Sequence, residues 1–564
     1  MKIIKGKAIS PGYAHGRAKV LGDRRLDMIV TTIAPDQIDA ELARFRAAVD
    51  RSYRELEQLQ AHVQSELGAD SADIFTAHLL FLRDPQFIER AESCIRDDLL
   101  SLEAAIQVTI DDLVQILNDA DNIYLRERVS DIHDLRSRLL RQTAQSDSGQ
   151  LEHLPPDTIL VARELLPSDL LEIDREHLVG VVTETGGETG HAAILARALG
   201  IPAITGVTNA TRFIASDIPL LVDGQSGEVV LEPEPQRLHA TIASKARYDR
   251  ETKNAVDAGG CDCKTRDGAE IQLFANIGRP FEVSQIAEHH LNGIGLFRTE
   301  YLFLDEPVAP SFERQRDISC RVAASLDGLP LVIRTLDLGG DKWPTFLKPR
   351  FEANPNLGVR GLRYSLMAAE DLFRTQIRAM LRTATMHDVS IMLPMVLGRA
   401  DLQDAIDIIE DIAREEGTGS LPPIGALIET PAAVFAIDEI LTNCDFISIG
   451  TNDLTQFMLA ADRNALALID DFTVLHPSVL RAVQQVVRAA HAAGKPATVC
   501  GEAAADPRVA CLLAGLGARR LSMSPVSAAR VRLALRNSSM SSLVQLARAA
   551  LQSDSPQTEV VQKI

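Results

Sequence analysis

Ile424-Gly425-Ala426-Leu427-Ile428-Glu429-Thr430-Pro431 and Phe446-Ile447-Ser448-Ile449-Gly450-Thr451-Asn452-Asp453 are built alike. Each is a short, largely apolar run that stops at groups able to bind charge. Uninterrupted apolar runs of strand length belong to strands covered on both faces, as in a parallel sheet. Helical patterning separates the two, and the alternation extends both ways along the chain. Strands are expected near Ile271–Ile277, Gly293–Phe297, Pro330–Thr335, Ser390–Pro394, Ile424–Ile428, Phe446–Ile449, Pro496–Val499 and Arg520–Ser522. Eight strands with intervening helices over roughly 270 residues match a (β/α)8 barrel in number and length.

Barrel active sites lie at the C-terminal ends of the strands. Here the second strand is followed by Arg298-Thr299-Glu300. The third ends in Arg334-Thr335-Leu336-Asp337, with Gly339-Gly340-Asp341-Lys342 beyond. The fifth ends in Glu429, the sixth in Asn452 and Asp453, and the seventh in Cys500-Gly501-Glu502. Arg360 lies in the loop after Asn354-Pro355, and Arg463 in a helical segment after the sixth strand. Arginine takes phosphate and carboxylate bidentately. Glu429 and Asp453 offer the hard oxygens that Mg2+ prefers, usually shared with substrate oxygens. Arginines, two carboxylates and an amide suit a dianionic substrate held by a metal, where they would neutralise a phosphoryl group in transit.

Upstream, the period changes. Lys2–Ile9 and Gly16–Leu21 read as strands around a Ser10-Pro11-Gly12 turn. From Pro35 to about Gln142 the apolar residues recur at helical spacing: Ile38, Leu42, Phe45, Val49, then Ile106, Ile110, Leu113, Leu117. One stripe per helix implies an antiparallel bundle. The polar stretch Thr143 to Gly149 reads as a linker. Strands return at Thr158–Ala162, Leu178–Thr183, Leu220–Val222 and Glu228–Leu231. Strands on both sides of a helical block imply one α/β domain with a bundle inserted into it. The expected division is 1–30 with 146–233 for the α/β domain and 31–145 for the insert. It continues with 234–258 for a charged linker helix, 259–545 for the barrel and 546–564 for a tail.

Within the α/β domain, Thr185-Gly186-Gly187-Glu188-Thr189-Gly190-His191 follows a strand and precedes an apolar helical run. The glycines free backbone N–H groups for an anion, and the helix adds oriented amides. A neutral imidazole placed there can accept a phosphoryl group.

Composition limits the alternatives. The chain has 564 residues, 46% of them hydrophobic and 24% charged, enough for about three or four domains. Lys and Arg number 58 against 78 Asp and Glu, a net charge of −20, which disfavours general binding to nucleic acid or anionic membrane. Mean hydropathy is +0.01, and no 18-residue apolar run suggests membrane insertion. Met1 to Lys7 lacks the apolar core of a secretory signal. Seven cysteines without framework spacing fit a reducing cytoplasm, and Cys261-Asp262-Cys263 has no second pair to complete a metal finger.

Taken together, these segments resemble the enzyme I family of the bacterial phosphoenolpyruvate:sugar phosphotransferase system. The resemblance runs from Ser10-Pro11-Gly12-Tyr13-Ala14-His15-Gly16 through Tyr124-Leu125-Arg126-Glu127-Arg128 and Gly186-Gly187 to His191. It continues in Phe297-Arg298-Thr299-Glu300, Arg334 to Lys342, and Ile449 to Gln456. It implies a swivelling phosphohistidine α/β domain with an inserted helical bundle, followed by a barrel that binds phosphoenolpyruvate and Mg2+. It implies phosphoryl transfer to His191 and then to the carrier protein HPr, docked on the helical insert. By the same resemblance Arg298, Arg334, Arg463 and Asn452 hold substrate, with Asp453 beside them and Arg360 and Lys342 as supporting cations. Glu429 and Asp453 match the metal ligands, Cys500 matches the group that protonates the enolate, and the barrel forms a homodimer. Three departures surround the histidine. Gly190 stands where the family usually has Ser, Glu188 where it often has a basic residue, and Leu170 where it has a supporting Thr. Such losses weaken a phosphoryl cradle by about 1–3 kcal/mol. Other readings are a phosphoenolpyruvate-sensing degenerate homologue, a dikinase or phosphoenolpyruvate synthase, and a free-standing lyase barrel. The dikinase needs a nucleotide domain for which the helical insert is too short, and the lyase leaves His191 unused.

Overall fold

The computed structural model describes residues 2–21, 31–67, 79, 81–119, 129–143, 154–163, 177–185, 196, 200–257, 262–304, 308–339, 343–344, 346–347, 352, 354–462 and 473–553. The chain divides into two compact units, Met1–Arg250 and Glu251–Ile564.

The first unit is organised by a mixed sheet. Its strands are β1 (Lys2–Lys5), β2 (Lys7–Ser10), β3 (Tyr13–Val20), β4 (Thr158–Ala162), β5 (Leu178–Thr183), β6 (Ala203–Thr205), β7 (Pro219–Asp223) and β8 (Glu228–Leu231). Their spatial order is β1-β8-β7-β3-β4-β5-β6-β2. The centre, β3 to β6, is parallel. Both faces are covered, so successive residues enter different cores: Leu160 and Val181 pack on one side, Ile159, Val161 and Val182 on the other. The single strand expected over Lys2–Ile9 is two, because its halves serve opposite edges of the sheet. β1 pairs with β8, and β2 with β6.

Between β3 and β4, which are hydrogen-bonded neighbours, the chain forms the helices Ile38–Leu67, Pro85–Arg96, Leu102–Asp119 and Val129–Thr143. They bury Leu42, Phe45, Val49, Ile106 and Ile110 of the expected stripes, together with Phe87, Ile95 and Leu135, while Ile38 and Leu113 are partly buried against this core and the Leu117 side chain lies outside the described residues. Pro85 opens its helix after Asp84, whose carboxylate accepts the Gln86 N–H at 2.7 Å. Glu41 similarly accepts the Leu102 N–H at 2.7 Å and ties the first helix to the third. The helix Pro235–Asp257 carries the chain across the division between the units.

The second unit is a closed parallel barrel. Its strands are β9 (Gln272–Ile277), β10 (Ile294–Arg298), β11 (Leu331–Arg334), β12 (Val389–Leu393), β13 (Ile424–Ile428), β14 (Phe446–Ile449), β15 (Ala497–Val499) and β16 (Arg520–Met523). β16 returns to β9, with Arg520 opposite Gln272 and Met523 opposite Ala275. Ile294, Phe297, Ile333, Ile391, Ile428, Ile447 and Leu521 join the large core shared with the surrounding helices. Leu296, Met392, Leu427, Phe446 and Cys500 form a separate cluster. The six described cysteines Cys94, Cys263, Cys320, Cys444, Cys500 and Cys511 are free thiols. Among the described residues, no helix is long and apolar enough to cross a membrane.

Candidate active site

At the C-terminal ends of β10, β11 and β13 a buried charge network closes over the barrel. Arg334, the last residue of β11, donates from Nη2 to Glu300 Oε1 at 2.7 Å and lies 3.4 Å from Asp337. Glu300 Oε1 also accepts the Asp337 N–H at 2.8 Å. Arg360 donates from Nε and Nη2 to the two Asp337 oxygens at 3.0 and 2.9 Å. It donates from Nη1 and Nη2 to the two Asp453 oxygens at 2.8 and 3.2 Å. Burial alone would lower the pKa of both guanidiniums, but Glu300 and Asp337 at Arg334, and Asp337 and Asp453 at Arg360, hold them above the ordinary arginine range. Arg360 thus braces Asp453, the carboxylate in the first turn of the helix Thr451–Leu459.

Glu429 follows β13 and is buried. Its Oε1 accepts the N–H of Met395 at 2.7 Å. Met395 has φ +54, a backbone region costly for a side chain of this size, and the chain after β12 adopts it where this amide meets the carboxylate. Burial, then the negative charges of Asp453 and Asp337, push Glu429 up to about 8, against the pull of Arg334 and Arg360. Such a carboxyl would gain from a nearby divalent cation. No group of three or more His, Cys, Asp or Glu side chains is placed to hold a metal among the described residues. Two carboxylates with remaining ligands from substrate and water are nevertheless the usual provision for Mg2+, so the donor set fits.

Cys500 lies just past β15 and is 3% exposed. Its thiol faces the Ile449 carbonyl oxygen at 3.5 Å. Burial, then Glu429, push it up to about 12, while Arg334 and Arg298 pull the other way. It is therefore a protonated thiol at neutral pH. Gly501 is required beside it: a Cβ there would sit 1.6 Å from Thr451 Oγ1. Asn452 accepts the Glu502 N–H at 3.3 Å, joining the ends of the sixth and seventh strands.

Arg298 ends β10, is partly exposed, and makes no ion pair with another described residue. The described cluster holds Arg298, Arg334 and Arg360 against Glu300, Asp337, Glu429 and Asp453, one more carboxylate than guanidinium.

Of the residues singled out in the sequence, Arg334, Arg360 and Asp453 are linked through Asp337, with Glu429 beside them. Arg298 and Cys500 lie within electrostatic reach, and Asn452 adjoins Asp453. His191, Lys342 and Arg463 lie outside the described residues, as do Leu170, Glu188 and Gly190. Asp337 and Glu300, which stand in the strand-end motifs, organise the arginines. Gln376, on the helix Glu370–Ala384 and not signalled by any motif, accepts the Leu336 N–H at 2.9 Å and donates to Thr299 Oγ1 at 3.1 Å. The Met395 amide, set by backbone conformation, leaves no trace in residue type.

Comparison with known proteins adds an independent line. Three family models match: "PEP-utilising enzyme, PEP-binding domain" over residues 253–540, "PEP-utilising enzyme, N-terminal" over 5–128, and "PEP-utilising enzyme, mobile domain" over 154–227. The phosphoenolpyruvate-protein phosphotransferase of Staphylococcus epidermidis is 35% identical over 99% of this chain and 98% of its own. That of Haemophilus influenzae is 34% identical over 98% of this chain and 96% of its own. A solution structure of Enzyme I (nEIt) is 31% identical, covers 44% of this chain and 99% of its own, and has a TM-score of 0.37.

Proposed function

The chain belongs to the phosphoenolpyruvate-utilising enzyme family, among the phosphoenolpyruvate-protein phosphotransferases, and on that premise we propose that it phosphorylates its own His191 from phosphoenolpyruvate. The observation that carries the barrel half of this reading is the pairing of a buried thiol with an arginine-carboxylate network at the barrel mouth.

Arg298, which has no carboxylate of its own among the described residues, supplies positive charge to the substrate, with Lys342 and Arg463 as further cations and Asn452 as an amide donor. Arg334 and Arg360 hold Asp337 and Asp453 in place, so the rim is preorganised before substrate arrives. Glu429 and Asp453 would hold Mg2+, which supplies charge neutralisation at the phosphoryl oxygens. In the reaction the bond between phosphorus and the enol oxygen breaks, and a bond from phosphorus to a His191 ring nitrogen forms. The enolate left behind takes a proton at carbon from the Cys500 thiol and leaves as pyruvate. The thiol's high pKa keeps that proton available at neutral pH. The phosphoryl group then passes from His191 to the histidine of a small carrier protein, HPr, docked on the helical insert. The barrel is the homodimerisation unit, and the cytoplasm is the compartment that suits these free thiols.

Incubation with phosphoenolpyruvate labelled on phosphorus and Mg2+ tests this directly. The expected product is a phosphoprotein labile in acid and stable in alkali, absent in His191→Ala. Label elsewhere in the chain, or arriving only from ATP, overturns the proposal.

A further inference from the structure

The barrel's first and last strands each carry a polar side chain one residue before their end, and neither is accounted for by the network above. Asn276 lies near the end of β9, and Ser522 lies within β16. Asn276 donates from Nδ2 to the Cys500 carbonyl oxygen at 2.8 Å and to the Ser522 carbonyl oxygen at 3.2 Å. The Ser522 hydroxyl, fully buried, donates to Asn276 Oδ1 at 2.6 Å and reaches the Ala275 carbonyl at 3.0 Å. The pair therefore bridges β9, β15 and β16 across the seam where the barrel closes. Room for it is made by Gly295 on the next strand, where a Cβ would come within 2.5 Å of Ser522 Oγ.

From this geometry we infer that Asn276, held by Ser522, is a positioning residue for the Cys500 thiol. The inference rests on the proposed role of Cys500 as proton donor. β15 is only three residues long, and Cys500 lies just beyond it. The peptide there is held by its own N–H, which donates to the Ile449 carbonyl at 3.0 Å, and by the Asn276 amide on its carbonyl oxygen. Two bonds on opposite sides of Cys500 set the direction of its Cα–Cβ bond, and hence where the sulfur points. A carboxamide suits this task because one side chain donates to two carbonyls while its oxygen is pinned by a hydroxyl. Among the described residues, Asn276 makes no hydrogen bond to the arginines or carboxylates that surround the proposed substrate site. Its loss should therefore spoil proton delivery without weakening substrate binding.

The test uses the full-length protein with phosphoenolpyruvate and Mg2+, reading pyruvate release in a single turnover across substrate concentrations in H2O and D2O. For Asn276→Ala the saturating rate should fall by about 100-fold, the scale on which small misplacements of a reacting group act. The half-saturating substrate concentration should stay within about twofold, and the solvent isotope effect should rise as protonation becomes limiting. Ser522→Ala, which removes one hydroxyl and leaves the amide, should show the same pattern at smaller amplitude. Its result decides the matter if Asn276→Ala does not fold by circular dichroism. A folded variant with unchanged rate, or with weaker substrate binding at unchanged rate, overturns the inference. Cys500→Ala separates the two layers. Full turnover there defeats the role of Cys500 itself, whereas lost turnover with an intact Asn276→Ala enzyme defeats only the positioning role.

Discussion

Replacing Arg360 by Met tests whether the rim network holds the barrel together as well as aligning it. The guanidinium is buried and makes four hydrogen bonds of 2.8 to 3.2 Å to Asp337 and Asp453. Methionine keeps much of the volume and removes the charge, leaving two carboxylates facing each other near Glu429. Breaking a buried ion pair by removing one partner costs about 3–5 kcal/mol, because the remaining charge has no compensation. An exposed pair would cost about 0–1 kcal/mol. The protein has one tryptophan, Trp343, buried in the barrel unit and packed edge-on against Tyr364 at 5.3 Å. Its fluorescence during denaturant titration reports this unit. Arg360→Met should lower the unfolding free energy by about 3 kcal/mol or more, and Asp337→Asn in the same chain should recover part of that by removing one orphaned charge. A loss under about 1 kcal/mol would refute the view that the network is desolvated.

Other expectations concern the same barrel unit. Glu429, held near 8, binds a proton more tightly folded than unfolded, so without metal its contribution is present below about pH 4.5 and is lost as pH rises toward 8. Glu429→Gln should flatten that part of the pH dependence of the Trp343 midpoint, and an unaltered slope would show that the carboxyl titrates normally. Asp267 is lowered to about 2 by the Thr265 hydroxyl and the N–H groups of Met540 and Ser541, which open the helix Met540–Gln552. Its stabilisation is present above the ordinary carboxylate range and is lost as pH falls toward 2, so the difference between wild type and Asp267→Ala should shrink over that interval. Gly501→Ala forces a methyl onto Thr451 Oγ1 and should destabilise the barrel by about 1–3 kcal/mol, visible as an earlier Trp343 transition. Arg298→Ala removes a charge-assisted contact worth about 1.5–3 kcal/mol, so half-saturation by phosphoenolpyruvate should move up by about one to two orders of magnitude. Unchanged saturation would place Arg298 outside the site.

Much of the barrel is legible in the primary structure for one physical reason. Strands buried on both faces carry few polar positions to blur them, so Ile424–Ile428 and Phe446–Ile449 stand out, the latter interrupted only by Ser448, and match β13 and β14 residue for residue. Errors fall where that reason fails. Ala203–Thr205 is too short to carry a pattern, and Lys2–Ile9 looks continuous although its halves pair at opposite edges. The candidate site divides along the same line. Each charged group is visible where an apolar run stops, because a strand end is a local event. The hydrogen-bond partner of each group is a matter of register between strands that are distant in sequence. Arg360 and Asp453 are 93 residues apart, and nothing near either one names the other. Closure is the extreme case. Asn276 and Ser522 are 246 residues apart and sit in runs that look unremarkable one at a time, yet the pairing of Arg520 with Gln272 makes them neighbours, and Asn276 then reaches the Cys500 carbonyl. The positioning groups hardest to read are thus those on the first and last strands, since their shared environment does not exist until the barrel shuts.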